Sequence, residues 1–175
     1  MSRSRARKGR WIVVIRHAKS SWDDPSLADH DRPLSKRGRK ALPRLRDHIK
    51  GLDLRPGLVL CSSSRRTRET LDGIRDAIPA KARIKLDSSL YAASAGKLLS
   101  VLRDLDEKVT IVFLIGHNPG VADLVDVLTA DPEAGGAGID AFPTAAVAVL
   151  SVVGPWSELQ PEGVTLESFW TPRQP

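Results

Sequence analysis

The sequence predicts an α/β domain of three layers, a mostly parallel central sheet with helices on both faces. Short apolar runs at 11–15, 58–61 and 109–115 have the length and branched content of buried strands. Longer segments between them carry apolar residues at helical spacing. With 175 residues, 41% of them apolar, the chain can build one sizeable core, and no linker is long enough to separate two domains.

Taken in order, 11–15 reads as the first strand. A helix follows over 35–50, with Ser35 as its N-cap and Leu42, Leu45, Ile49 and Leu52 on its apolar face; Pro43 should bend its early turns. His48 falls on the polar face. The run 58–61 is a buried strand, 63–78 a helix with Leu71, Ile74 and Ile78 inward, 82–86 a weak strand, and 95–106 a helix built on Leu98, Leu102 and Leu105. Strand 109–115 leads into a helix from 119, with Asn118 as N-cap and Pro119 at its first position. Asp131 to Ile139 is a glycine-rich loop. Ala145–Val153 reads as a strand, Gly154-Pro155 as a turn, and the alternation of Val164–Phe169 suits an edge strand.

Net charge is +6, but Arg3, Arg5, Arg7, Lys8 and Arg10 all lie in the first ten residues, where there is no acid. Residues 1–10 are therefore expected to be a flexible basic tail, with the domain proper at 11–175. A polyanion is the partner such a tail suits, although a solvated extension is the simpler expectation and nucleic acid binding is not favoured. The four tryptophans do not interleave with basic runs, so no stacking platform for single strands is evident. No apolar run approaches the ~20 residues of a membrane span, and no apolar segment follows the basic start as in a secretory signal. Cys61 is the only cysteine, which excludes an internal disulfide and suits a reducing cytoplasm.

Ligands of such sheets bind beyond the carboxyl ends of the strands. Arg16, His17, Ser62, Arg66 and His117 all fall there, distant in sequence and expected to converge. A phosphoryl group needs an in-line nucleophile and cations around its other oxygens. Neutral imidazole can attack phosphorus, and guanidinium binds phosphate oxygens through paired hydrogen bonds. Adjacent arginines would also depress the histidine pKa by like-charge repulsion. The stretch Cys61-Ser62-Ser63-Ser64-Arg65-Arg66 offers hydroxyls and positive charge at a helix start, and Gly116-His117-Asn118-Pro119-Gly120 a second histidine before another. His30 and His48 sit outside this set. No metal-ligand spacing, nucleotide-binding glycine loop or serine-hydrolase elbow is present, so neither metal nor cofactor is expected.

Together these motifs resemble the histidine phosphatase superfamily, whose fold is phosphoglycerate-mutase-like. Its Arg-His-Gly opening has its counterpart in Arg16-His17-Ala18, and its Pro-Leu-[Ser/Thr]-x-x-Gly element in Pro33-Leu34-Ser35-Lys36-Arg37-Gly38. The Ser-x-x-x-Arg-x-x-x-Thr element corresponds to Ser62, Arg66 and Thr70, which selects Arg66 over Arg65 and Arg68. The second histidine is His117. The match runs from about residue 11 to 170, and the shortness of the chain, with Lys19-Ser20-Ser21-Trp22 and Pro143-Thr144-Ala145-Ala146, is similar to the phosphohistidine phosphatases of the SixA-like branch.

The resemblance implies His17 as nucleophile, with Arg16, Arg66 and His117 holding the phosphoryl group beside Ser62. Ala18 replaces the family glycine, so its backbone must avoid glycine-only angles. The glutamate that acts as general acid in larger members has no counterpart in Asp87–Ala93; Asp23, Asp24 and Asp31 are the remaining candidates for a donor. Without an acid, cleavage of a phosphoramidate is easier than that of an ester, because imidazole leaves neutral once protonated. The leading expectation is a metal-independent phosphatase acting on a phosphohistidine-bearing protein. The rivals are a phosphomonoesterase of small phosphorylated substrates, a mutase, and a phosphate-recognising binding module.

Overall fold

The computed structural model describes residues 9–130 and 141–172. Most of the expected basic tail and the glycine-rich loop from Asp131 to Ile139 lie outside the described residues. Strands β1 (Arg10–Arg16), β2 (Leu58–Ser62), β3 (Arg83–Asp87), β4 (Ile111–Gly116), β5 (Val147–Val152) and β6 (Val164–Trp170) form one sheet in the order β3-β2-β4-β1-β5-β6. The α-helices are α1 (Lys36–Gly51), α2 (Arg65–Gly73), α3 (Ala95–Arg103) and α4 (Gly120–Leu128). Among the described residues no helix is long and apolar enough to cross a membrane.

Strand alternation divides the core into two faces. Ile12, Val14, Leu58, Leu60, Val112 and Leu114 pack under α3 and α4. Trp11, Val13, Ile15, Val59, Phe113 and Ile115 pack under α1 and α2. The three layers follow from this division.

The sheet is mixed, which corrects the expectation of a mostly parallel one. β1 to β4 pair in parallel, but β5 runs antiparallel to β1, and β6 antiparallel to β5. The reason is where β5 starts. The Ala145 N–H donates to the carbonyls of Arg16 and His17, so the chain enters β5 from the carboxyl end of β1 and must run back. The short link over 153–163, turning at Gly154 (φ +91), then has no room for the crossover a parallel strand would require. β6 does occupy a sheet edge.

Local expectations hold to within a few residues, with instructive exceptions. Ser35 caps α1 by accepting from the Gly38 N–H at 3.0 Å, and the helix continues through Pro43 to Gly51. α2 stops at Gly73 rather than near 78, because its last turn tightens into a 3-10 turn at Arg75–Ala77 before Pro79. Gly73 meets Leu42 of α1, where a Cβ would lie 2.5 Å from the leucine Cδ1. α3 ends at Arg103, whose guanidinium turns aside to the Leu159 carbonyl at 2.8 Å. His48 is no solvated polar-face residue: its ring stacks on Trp170 with centroids 4.4 Å apart.

Candidate active site

Register brings the two histidines together. Arg16 on β1 pairs with Gly116 on the parallel β4, so the next residues, His17 and His117, leave adjacent strands side by side. The His17 N–H donates to the Gly116 carbonyl, and the imidazole centroids are 5.1 Å apart. Each residue is only 7% exposed. Asn118 does not cap α4 as expected. Its Nδ2 donates instead to the Phe142 carbonyl at 3.0 Å, and Pro119 takes the cap position after a cis bond.

Hydrogen bonding fixes the tautomer of His17. Its Nδ1 lies 2.7 Å from the Ala18 carbonyl, which can only accept, so the ring proton is on Nδ1. Nε2 then carries the lone pair, and the Arg66 Nε–H donates to it at 3.3 Å. The pKa of His17 is lowered to about 4, chiefly by burial, with Arg66 and Arg16 adding like-charge repulsion and the Ala18 bond working the other way. Burial outranks the like-charge repulsion of the arginines expected from the sequence. His117 is lowered to about 3, again by burial and then by His17 and Arg66.

The motif of α2 is spent on this pair. Ser62 Oγ, fully buried at the end of β2, is 2.8 Å from His117 Nε2. One helical turn apart, Arg66 reaches His17 and Thr70 Oγ1 accepts from the Ala18 N–H at 3.0 Å. Ala18 is fully buried, and its φ is not positive, as its lack of glycine demands. Arg16 donates to the Phe142 carbonyl at 2.7 Å, and its Nε is buried with no partner among the described residues. Ala145 adopts a positive φ of 63 while its N–H holds the carbonyls of Arg16 and His17, local strain spent on fixing the dipeptide.

Two residues of this site escaped sequence reasoning. Arg66 donates to the Asp29 carbonyl at 2.6 Å and to its carboxylate at 2.9 Å, and Tyr91 O–H donates to the same carboxylate oxygen at 2.6 Å. These bonds hold the Asp29 pKa below its usual range, the tyrosine bond first. The Tyr91 ring also meets those of His30 and His117 edge-on. Tyr91 is the only tyrosine of the chain and stands in Asp87–Ala93, the segment where the family glutamate has no counterpart, which is a signal the sequence carries. The sequence candidates for an acid lie elsewhere. Asp23 and Asp24 bond Ser21 and Ser26 around a separate hollow with Pro33 and Arg39, and Asp31 bonds His30.

His17, Arg16, Arg66 and Asp29 line an open cleft of about 390 Å³, rimmed by Lys19, Trp22 and Thr144. Among the described residues Asp29 is its only carboxylate. Trp22 is 69% exposed and lies under the Arg32 guanidinium, 3.3 Å from its ring centre. No group of three or more metal-ligating side chains occurs among the described residues.

The model of the histidine phosphatase superfamily (branch 1) matches residues 12–105. An uncharacterized protein of Mycobacterium tuberculosis strain H37Rv is 35% identical over 167 residues, covering 91% of this chain and all of its own length. Among solved structures, a candidate phosphohistidine phosphatase SixA from Nakamurella multipartitia superposes with a TM-score of 0.83 at 27% identity, over 94% of this chain and 97% of its own. A second candidate SixA, from Agrobacterium tumefaciens, gives a TM-score of 0.77 at 26% identity, over 93% and 98%.

Proposed function

This chain belongs to the histidine phosphatase superfamily, in its SixA-like branch, and we propose that it is a metal-independent phosphatase that removes the phosphoryl group from phosphohistidine on a protein. The observation that carries the reading is the His17 tautomer. A buried, uncharged imidazole with its proton tied to Ala18 offers Nε2 as a nucleophile beside two arginines and a second neutral histidine.

His17 Nε2 attacks phosphorus, forming a new P–N bond as the bond to the substrate nitrogen breaks. Arg66 turns its donors from the lone pair to the phosphoryl oxygens, with Arg16 on the other side. Ser62 Oγ and His117 Nε2 are 2.8 Å apart; with the hydroxyl as donor the His117 proton rests on Nδ1, an atom buried without a partner among the described residues, from which it can be donated to a phosphoryl oxygen. The leaving imidazole departs neutral because solvent has protonated its ring. Water then attacks phospho-His17, the P–N bond breaks, inorganic phosphate leaves and His17 is restored.

The choice of a P–N substrate rests on the state of Asp29. Paired with Arg66 and Tyr91, it is ionised and has no proton to give to an alkoxide. The candidate SixA name of the Nakamurella protein supports the same class.

Wild type and His17→Ala would be offered a phosphohistidine-carrying protein and para-nitrophenyl phosphate, with chelator and without added metal. Loss of phosphohistidine with wild type alone, acid-labile phosphate trapped on wild type, and a feeble ester rate are the expected results. A fast ester rate with phosphohistidine untouched would replace the reading with a small-molecule phosphomonoesterase. Tight phosphate binding without His17-dependent turnover of either would leave a recognition module.

A further inference from the structure

Beside the catalytic cleft lies a second one, of about 220 Å³, lined by Lys19, Arg37, Lys40 and Arg44 with Pro143 and Thr144. It shares Lys19, Pro143 and Thr144 with the first, so the two adjoin. No carboxylate lines it among the described residues. Lys19, Arg37 and Lys40 are exposed, and none makes an ion pair within 4 Å among the described residues.

The placement of these cations is built in. Ser35 N–H and Oγ–H both donate to the Lys19 carbonyl, at 2.8 and 3.1 Å, and Ser20 bridges Leu34. Gly38 is bare where any Cβ would strike that same carbonyl. The Pro33–Gly38 element thus presses the segment after His17 against the first turn of α1. That contact sets Lys19 beside the α1 cations, two residues on from His17.

Resting on the phosphohistidine reading, we infer that this second cleft receives an acidic stretch of the partner protein, Asp and Glu side chains flanking the phosphorylated histidine. The cations stand on exposed stems, Lys19 on the segment after His17 and Arg37, Lys40 and Arg44 spread along the first turns of α1, over about 10 Å of helix at 1.5 Å per residue. Such an arrangement matches carboxylates spread along a segment better than a single phosphate, which calls for paired donors around one centre. Like-signed charge in a cleft also steers an anionic partner toward the nucleophile.

The test uses full-length protein and phosphohistidine peptides whose flanks are acidic or neutral. It compares wild type with Arg37→Glu/Lys40→Glu and with a control of equal charge change, Arg55→Glu/Lys81→Glu. The control residues precede β2 and β3, at the opposite end of the parallel strands. Wild type and control should prefer acidic flanks by about tenfold or more in kcat/KM, through KM, and Arg37→Glu/Lys40→Glu should bring the ratio close to one. Binding of unphosphorylated hexaglutamate at low ionic strength, read by fluorescence anisotropy, should be lost in the same variant only. Equal handling of both flanks by wild type, or hexaglutamate binding that survives Arg37→Glu/Lys40→Glu, would overturn the inference. Cleft-dependent binding of a DNA oligonucleotide in preference to hexaglutamate would overturn the assignment to a protein segment. Were no phosphohistidine peptide turned over while hexaglutamate still bound through Arg37 and Lys40, the catalytic reading would fail and the acidic-ligand site would stand.

Discussion

Keeping two histidines uncharged side by side should leave a signature in the pH dependence of stability. The fold lowers His17 to about 4 and His117 to about 3, in both cases mainly by burial. In the unfolded chain both titrate near the ordinary value of about 6.5. Because each folded value lies below the unfolded one, the unfolded chain takes up protons first as pH falls. The stabilisation is complete above about 6.5 and is lost as pH drops through about 4 for His17 and about 3 for His117. At pH 5.5 the unfolded chain binds roughly 0.9 proton at each site and the folded chain almost none, a slope of about 2.5 kcal/mol per pH unit for the pair. Asp29 is also lowered, and Asp87 is lowered to about 2, so these carboxylates release their contributions at more acid pH. His48, lowered by burial, acts in the same window, which is why the comparison requires a variant. Urea unfolding of wild type and His17→Asn/His117→Asn between pH 5 and 7.5 isolates the pair. Near pH 5.5 wild type should lose stability on acidification more steeply, by about 2.5 kcal/mol per unit, with the difference fading toward pH 7.5. Should the double variant fold poorly, imidazole Cε1–H resonances of wild type give the same answer, with no inflection near 6.5 for either residue. Parallel slopes, or an inflection near 6.5 at His17 or His117, would refute the reasoning.

Ser62→Ala removes the hydroxyl beside His117 Nε2. Leaving that buried nitrogen unpaired costs about 1–3 kcal/mol of stability, and kcat should fall about tenfold or more with KM less affected, as steady-state kinetics would show. Gly38→Ala drives a Cβ into the Lys19 carbonyl. It should destabilise by about 2 kcal/mol or more in urea melts, the scale of overpacking that forces the backbone to shift, and it should lower activity by moving the segment after His17. Cys61, buried and raised to about 12 by desolvation, should ignore thiol reagents in the folded protein and react fully in denaturant; fast labelling under native conditions would contradict its burial.

The parts of the site legible in the sequence were those set by strand ends and helical spacing. His17 and His117 could be paired because both end apolar runs, and parallel register does the rest. Ser62, Arg66 and Thr70 could be grouped because a strand end followed by one helix holds residues four apart on one side. The direction of β5 was not legible in this way. An apolar run reads the same in either direction, and its reversal depends on where Ala145 meets β1. Asp29 and Tyr91 were hidden for a related reason. Each lies at a short 3-10 turn between the main elements, 62 residues from the other, and only the folded Arg66 brings them to one point.

That hidden carboxylate changes the chemical argument. An absent glutamate in the sequence says only that one donor is missing from one segment. Asp29 supplies a carboxylate at the cleft, yet Arg66 beside it and the Tyr91 hydroxyl hold it ionised. A group so held orients the arginine and cannot serve as an acid at neutral pH. The cleft thus contains a carboxylate in the wrong protonation state for expelling an alkoxide, and this is a stronger reason to favour a P–N leaving group than the lack of a motif. Neutralising it alone, by Asp29→Asn, separates the two roles. If Asp29 only positions Arg66, turnover of both P–N and P–O substrates should fall together by about tenfold, the scale of one charge-assisted hydrogen bond. Selective loss on the ester, with an acid limb moved in the pH profile, would make Asp29 a proton donor and reverse the substrate assignment.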